Sequence, residues 1–580
     1  MKTLCILFRG WCCLFLLVFM GCAGSNKAPE EAVISAMNLK QGKTILCGPA
    51  DKELGAVSFE TSCSEKVRKE FDLALALLHS FEYDEAEKAF AAVINKEPTC
   101  AMAYWGVAMS NFHPLWSPPS KEEFEKGSKA VAIAQSITGK TKREAAYIAA
   151  IAEFYKDPQQ TSHPARCVNF EKAMAQLYKA YPDDKDAAAF YALALDGAAD
   201  PADKTYAKQR KAGQILTLLG GDQSFHPGVI HYIIHSYDYP SLAAMALPAA
   251  RKYAAVAPSS AHAQHMPSHI FIRLGLWDES IHSNMVAADA ARCYAASAGI
   301  KGHWDEELHC LDYLVYSYLQ KADNKDAKEQ CDYLKTIREI YPVTPKVIYS
   351  FAAIPARYVL ENRLWMEAMA LQPQVISGIV WEKYPWEKAI IHFTKLLGAV
   401  HLNQMDTAYA EFKTLNQLHD MLVQKQDAYK ANQVQIQLKA SAAWIAFREG
   451  KSSAALQLMK EAATLEETTP KPPVTPGEVV PARELLGDLL MAMNAPGDAL
   501  EAYEINLQDH PNRFNALYNA GLAAEKSNNL AKAGRYYQQL LDVSDTPEAD
   551  RPELTAAKAF LKRNKTLAME YQPVTGLLSP

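Results

Sequence analysis

The chain has 580 residues, more than a single hydrophobic core usually serves. Apolar residues make up 49% and charged residues 22%, ordinary figures for a folded soluble protein. The net charge of −6 is small for this length, and no basic run or basic stripe with interleaved aromatics occurs, so nucleic acid is not an expected partner.

The first element is a targeting segment. Lys2 and Arg9 supply positive charge, Trp11 to Met20 is almost wholly apolar, and the run ends in Phe19-Met20-Gly21-Cys22 before a polar stretch. It is too short to span a bilayer. Residues 1–22 resemble the signal peptide of a bacterial lipoprotein; Gly21 and Cys22 fit, whereas Phe19 and Met20 depart from the usual lipobox. The resemblance implies lipidation of Cys22 as the mature N-terminus. With Ala23 and Gly24 following, it implies a lipid-anchored place in the cell envelope, on the outer membrane and facing the periplasm. Seven cysteines remain downstream, an odd number that leaves at least one free or intermolecular. No C-x2-C occurs, which argues against a thiolate zinc knuckle, and Cys47 with Cys63 is a candidate clip for the N-terminal segment.

Residues 23–62 read as a tether and lead-in. From Cys63 onward alanine is abundant, glycine sparse, and apolar residues recur at three- and four-residue spacing, so the expected class is all-α. Ala86, Phe90 and Pro98 share an A-x3-F…P spacing. It returns as Gly487, Ala499, Tyr503 and Pro511, then as Gly521, Ala533 and Tyr537, 34 residues on. Small residues let two helices approach, the aromatic fills the space beside them, and the proline stops the second helix. These spacings resemble the tetratricopeptide-repeat (TPR) superfamily, which implies a right-handed α-solenoid of TPR-like helical hairpins. The expected organisation is a solenoid over 63–466, a Pro-rich linker at 467–481, a C-terminal repeat pair over 482–565 and a tail at 566–580. Residues 142–182 are an irregular unit, two helices around a loop holding Asp157-Pro158 and His163-Pro164.

Histidines concentrate between Phe225 and Gln320. His231 and His235 are repeated as His265 and His269 at the same 34-residue offset. Pro258 fits the end of one repeat, which places Ile230, Ile233, Ile234 and Tyr237 at the packing positions of its first helix and His231, His235 and Asp238 on the opposite face. The next repeat, from Ala261, puts His262, His265 and His269 there, and a third puts His309, Asp312 and Tyr316 there, with Leu311, Leu314, Val315 and Tyr318 packing. In tetratricopeptide repeats that face lines the concave groove; this is what the resemblance implies. Pro267 interrupts the second of these helices, which is either kinked or begins there, leaving His262 and His265 in a loop.

Three readings of these side chains stay open: a divalent metal site, a groove for an anionic or peptide ligand, and plain structure. For a metal the ligands are His231, His235, His265 and His269, and imidazole suits zinc, copper, iron or nickel. His79 and His113 form another 34-residue pair, and Trp105, Met109 and His113 suggest an aromatic ligand groove. Arg357 and Glu361 read as an i,i+4 pair on a solvated helix face. No H-E-x-x-H, G-x-S-x-G, Walker A or G-x-G-x-x-G motif occurs. The expected function is an envelope scaffold that binds a protein or peptide; the alternative is a metal-dependent enzyme using the same histidines.

Overall fold

The computed structural model describes residues 28–48, 53–115, 118–157, 159–220, 225–469, 475–547 and 549–564. The signal-peptide stretch with Cys22, and the tail at 566–580, lie outside them. Among the described residues the chain is all-α: successive helices pack on the helix before and the helix after, as an α-solenoid requires. The one strand pairing described is a two-residue parallel contact between His303–Trp304 and Ile340–Tyr341.

Local sequence accounts for many helix ends. Ser120 with Glu123, and Thr141 with Glu144, form capping boxes that start helices Lys121–Ser136 and Lys142–Tyr155. The irregular unit has its two helices, but His163 and Pro164, expected in the loop between them, open the second helix, His163–Ala180. The close approach inferred for the C-terminal repeats is present. A methyl group on Gly487 would lie 2.4 Å from the Tyr503 ring, and one on Gly521 would lie 2.7 Å from that of Tyr537.

The apolar interior divides into two large clusters. One runs from Met37 to Phe271, the other from Leu308 to Phe560. The histidine-bearing segments lie at the seam between them. The lead-in is packed along the first cluster: Phe59 is fully buried, with ring contacts at 5.9 Å to Phe71, 5.7 Å to Trp105 and 5.1 Å to Tyr147. The Cys47–Cys63 clip is not formed. Cys47 bonds Cys293, and Cys63 bonds Cys100. The lead-in runs extended across several helices instead of folding back, so its two cysteines meet different elements. Cys167, Cys310 and Cys331 are free and buried.

Residues 475–481, in the stretch read as a linker, are held in the interior. Thr475 and Val479 are buried, and Arg357 donates to the carbonyls of Gly477 and Glu478, each at 2.6 Å. The C-terminal hairpins reach back to the centre. Trp277 Nε1 donates to the Asn512 carbonyl at 3.0 Å, and Asn512 Nδ2 to that of Gly275 at 3.1 Å.

Candidate metal centre

Three helical segments bring the histidines together. The helix Pro227–Tyr237 begins with a proline at its first position, and His226 caps it by accepting the Val229 N–H at Nδ1, 3.3 Å away. The second segment is Ala261–His265 followed by Pro267–Leu274. Met266 between them keeps right-handed helical angles (φ −53°, ψ −36°). A new helix therefore begins at Pro267, as one of the two alternatives has it, but His262 and His265 stand in a short preceding helix and not in a loop. The third segment is Asp305–Gln320.

The four sequence-predicted ligands do not form one site. They divide between two adjacent triads, His231/His235/His262 and His265/His269/His309, and in each the three ligand-capable atoms lie within 4.8 Å of one another. In the first, His231 Nε2 and His235 Nε2 are 3.0 Å apart; in the second, His265 Nε2 and His269 Nε2 are 3.1 Å apart. The His265 and His309 rings lie 4.3 Å apart, and the His231 and His262 rings 5.1 Å.

The opposite ring nitrogens fix the tautomers. His231 Nδ1 meets the His79 carbonyl at 2.7 Å, an acceptor only, so that nitrogen carries the proton. Asn284 Nδ2 donates to the Ser280 carbonyl, which turns its Oδ1 toward His265 Nδ1 at 2.7 Å. The Asp238 carboxylate accepts from His269 Nδ1 at 2.9 Å and also receives Arg273 Nε at 3.3 Å. With both Nδ1 positions donating, His265 and His269 would, if neither Nε2 carries a proton, turn two lone pairs on each other. That contact is repulsive unless a cation, a proton or a metal ion, lies between them. Two nitrogens bound to one ion at ~2.0–2.1 Å sit roughly 3 Å apart.

Burial disfavours the charged form of His231, His235, His265 and His309. It drives His265 down to about 3, with the neighbouring His269 adding to the effect. Burial likewise holds His231, His235 and His309 well below the usual imidazole range. Two carboxylates flank His262. Glu306 Oε1 is 3.6 Å from His262 Nδ1; burial works to raise its carboxyl, but Lys346, His262 and His309 together outweigh burial and hold it well below the usual range. Glu82 accepts from Ser260 Oγ at 2.7 Å and from the His262 N–H at 3.4 Å, and burial raises its carboxyl. Tyr313 Oη lies 3.3 Å from His269 Nε2.

Other sequence candidates stand elsewhere. Asp312 is turned to Arg357 Nε at 3.2 Å, one turn beyond His309, and both are fully buried. Arg357 and Glu361 are therefore not a solvated pair: Glu361 instead takes Arg513 at 2.6 Å. Tyr316 Oη accepts from Arg513 at 3.3 Å. Trp105 and Met109 lie in the first apolar cluster, Trp105 wedged 5.4 Å from Phe190, because their helix, Ala101–Ser110, is buried on every side. His113 pairs with Glu123 at 3.0 Å, apart from the triads. These residues do not line an open groove.

Sequence reasoning missed Glu82, Asn284, Glu306 and Tyr313. Glu306 stands three residues before His309 on one helical face, a legible signal; Glu82 and Asn284 arrive through tertiary contacts that no periodicity marks. It also missed a third group, His79, Asp186 and His226. Asp186 Oδ1 lies 3.4 Å from His226 Nε2 and 3.6 Å from His79 Nε2. His226 Nδ1 is an acceptor, so its Nε2 carries the proton and points it at Asp186. Burial opposes ionisation of Asp186, but these two imidazoles prevail and hold it well below its ordinary range. This is an imidazole–carboxylate bridge beneath the site. His79 belongs to both arrangements, its ring to the bridge and its carbonyl to His231.

No protein-family model matches the chain, and no curated protein sequence does. Solved structures that it resembles include Naa15/Naa10 bound to HypK-THB (13% identity, 86% of this chain and 75% of that one, TM-score 0.22). The human IFIT1 dimer with m7Gppp-AAAA is another (11%, 89% and 100%, TM-score 0.32), as is the APC/C hetero-tetramer Cut9-Hcn1 (10%, 87% and 96%, TM-score 0.27).

Proposed function

We propose that this protein is a cell-envelope helical-repeat scaffold that holds a divalent transition metal on its central histidines. The observation that carries the reading is the pair of i,i+4 histidines whose Nε2 atoms converge at 3.0 and 3.1 Å while His231, His265 and His269 have their other nitrogens tied to a carbonyl, an amide oxygen and a carboxylate. Partners of this kind orient metal-binding imidazoles and raise their basicity. An all-imidazole donor set suits zinc, copper, iron or nickel over calcium or magnesium. Around that centre the repeats offer surface for an envelope protein or peptide. A metal-dependent enzyme is the second reading, favoured by Glu82 and Glu306 beside His262. The disulfides Cys47–Cys293 and Cys63–Cys100 support an oxidising compartment, and the segment ending at Cys22 supports a lipid anchor there.

Elemental analysis of the untagged protein from its native compartment, beside a His265→Ala/His269→Ala variant, tests the metal. Bound transition metal in the wild type and a loss of at least half in the variant are expected; negligible metal in both rejects the reading. Fractionation of cells making Cys22→Ser tests the anchor: the protein should leave the membrane fraction, and retention there rejects lipidation at Cys22.

A further inference from the structure

The two triads differ in a way that a single multi-histidine site would not. The inner one, His265/His269/His309, is buried at all three residues. Its surroundings are closed by Asn284, by Asp238 with Arg273, and by the Tyr313 hydroxyl 3.3 Å from His269 Nε2. The outer one, His231/His235/His262, is fully buried only at His231; His235 and His262 keep a small exposed part, although His262 Nε2 itself is buried. Its walls are Phe81, stacked 5.4 Å from His235, and Tyr253, stacked 5.0 Å from His231. Glu82 and Glu306 stand at His262, where the outer triad meets the inner one; the His262 and His265 rings are 6.5 Å apart.

Resting on the metal reading above, we propose that the centre holds two metal ions with divided roles. The inner triad encloses its ion. The outer triad leaves a coordination position open to solvent, which takes a small exogenous ligand of the hydroxide or azide class. Three protein nitrogens plus one exchangeable position is the pattern that separates reactive metal sites from closed structural ones. Hydrophobic walls such as Phe81 and Tyr253 limit that position to small ligands. Glu82 and Glu306 are placed to accept or return the proton of a bound water.

Cobalt(II) reports each site through its visible d–d absorption, and azide is the probe. Wild-type protein is expected to take up two cobalt equivalents per chain, with azide shifting about half the absorption. His235→Ala should bind one equivalent that azide does not perturb. His309→Ala should bind one whose whole absorption shifts. The wild-type stoichiometry and azide response stand without the variants, so a variant that fails to fold does not remove the test. One equivalent in the wild type, an azide response from all of the cobalt or from none, or a response lost in His309→Ala and kept in His235→Ala each overturns the division of roles. Uptake of no cobalt overturns the metal reading as well, which separates the two failures.

Discussion

Five imidazoles at the seam, His79, His231, His235, His265 and His309, are held neutral chiefly by burial, His79 at about 4 and His265 at about 3. In the unfolded chain each titrates near 6.5. Below that pH the unfolded state binds more protons than the folded one, so stability rises with pH through this window. For the metal-free protein the contribution is complete above about pH 6.5 and is lost as pH falls toward 4, by up to about 1.4 kcal/mol per pH unit for each ring. Asp186, Asp238 and Glu306 face these rings and reduce the loss by stabilising any imidazolium. Ordinary carboxylates titrate mostly below the window, but the buried carboxyls that burial raises, among them Glu82, Asp196 and Glu466, act in the opposite direction and offset part of the histidine effect. Thermal melts of chelator-treated protein should show a lower Tm at pH 5 than at pH 7.5; equal values would mean that the folded protein takes up protons on these rings. Any bound metal would be released when the chain unfolds and takes up these protons, so its retention should fall with the acid unfolding transition.

At the scale of the helix, the periodic features were legible. The register that placed Ile230, Ile233, Ile234 and Tyr237 inside, and His231 and His235 opposite, needed only the 3.6-residue turn and one proline, and all four packing residues are buried. The equivalence of His231 with His265 and of His235 with His269 also holds in detail, since each pair turns its Nε2 atoms together. Pro267 was ambiguous because a proline removes one backbone donor without dictating the path of the chain beyond it. Here the Ser268 hydroxyl occupies the His265 carbonyl at 2.7 Å, Met266 keeps helical angles, and a second helix follows directly from Pro267. What periodicity could not carry was the pairing of faces distant in sequence. It assigned the histidine face to an open groove, because a solenoid helix has an inner face whether or not anything fills it. It gave Cys47 to Cys63 because they are near in sequence, although Cys293 lies 246 positions away. It split one patch of six histidines wrongly, since His262 and His309 choose their triads by helix packing. Arg357, read as solvated from its i,i+4 partner alone, lies in the interior against Asp312.

In the whole molecule, the contacts that close the structure are those a one-dimensional array lacks. Repeat proteins draw their stability from neighbouring units. Here, in addition, Arg513 enters from the C-terminal hairpins, fully buried, and meets Glu484 of the helix Ala482–Ala492, Glu361 of the helix Pro345–Glu361, and the Tyr316 hydroxyl of the helix that carries His309. One guanidinium thus joins the far end of the chain to the helix that carries His309. Two carboxylates share it, so its removal leaves two buried acceptors without their cation. Breaking a buried pair in this way costs about 3–5 kcal/mol, most of it from the charge left behind. Arg513→Ala should therefore lower the unfolding midpoint substantially and expose residues 475–564 to limited proteolysis before the rest of the chain. A bare loss of packing would give a similar drop, and a double-mutant comparison separates the two. Adding Glu361→Gln and Glu484→Gln to Arg513→Ala removes the stranded charge and should restore part of the stability, whereas the same two changes alone should destabilise by leaving Arg513 unpaired. An Arg513→Ala protein that melts with the wild type, or a triple variant weaker than Arg513→Ala, would show that this arginine does not latch the superhelix shut across the site.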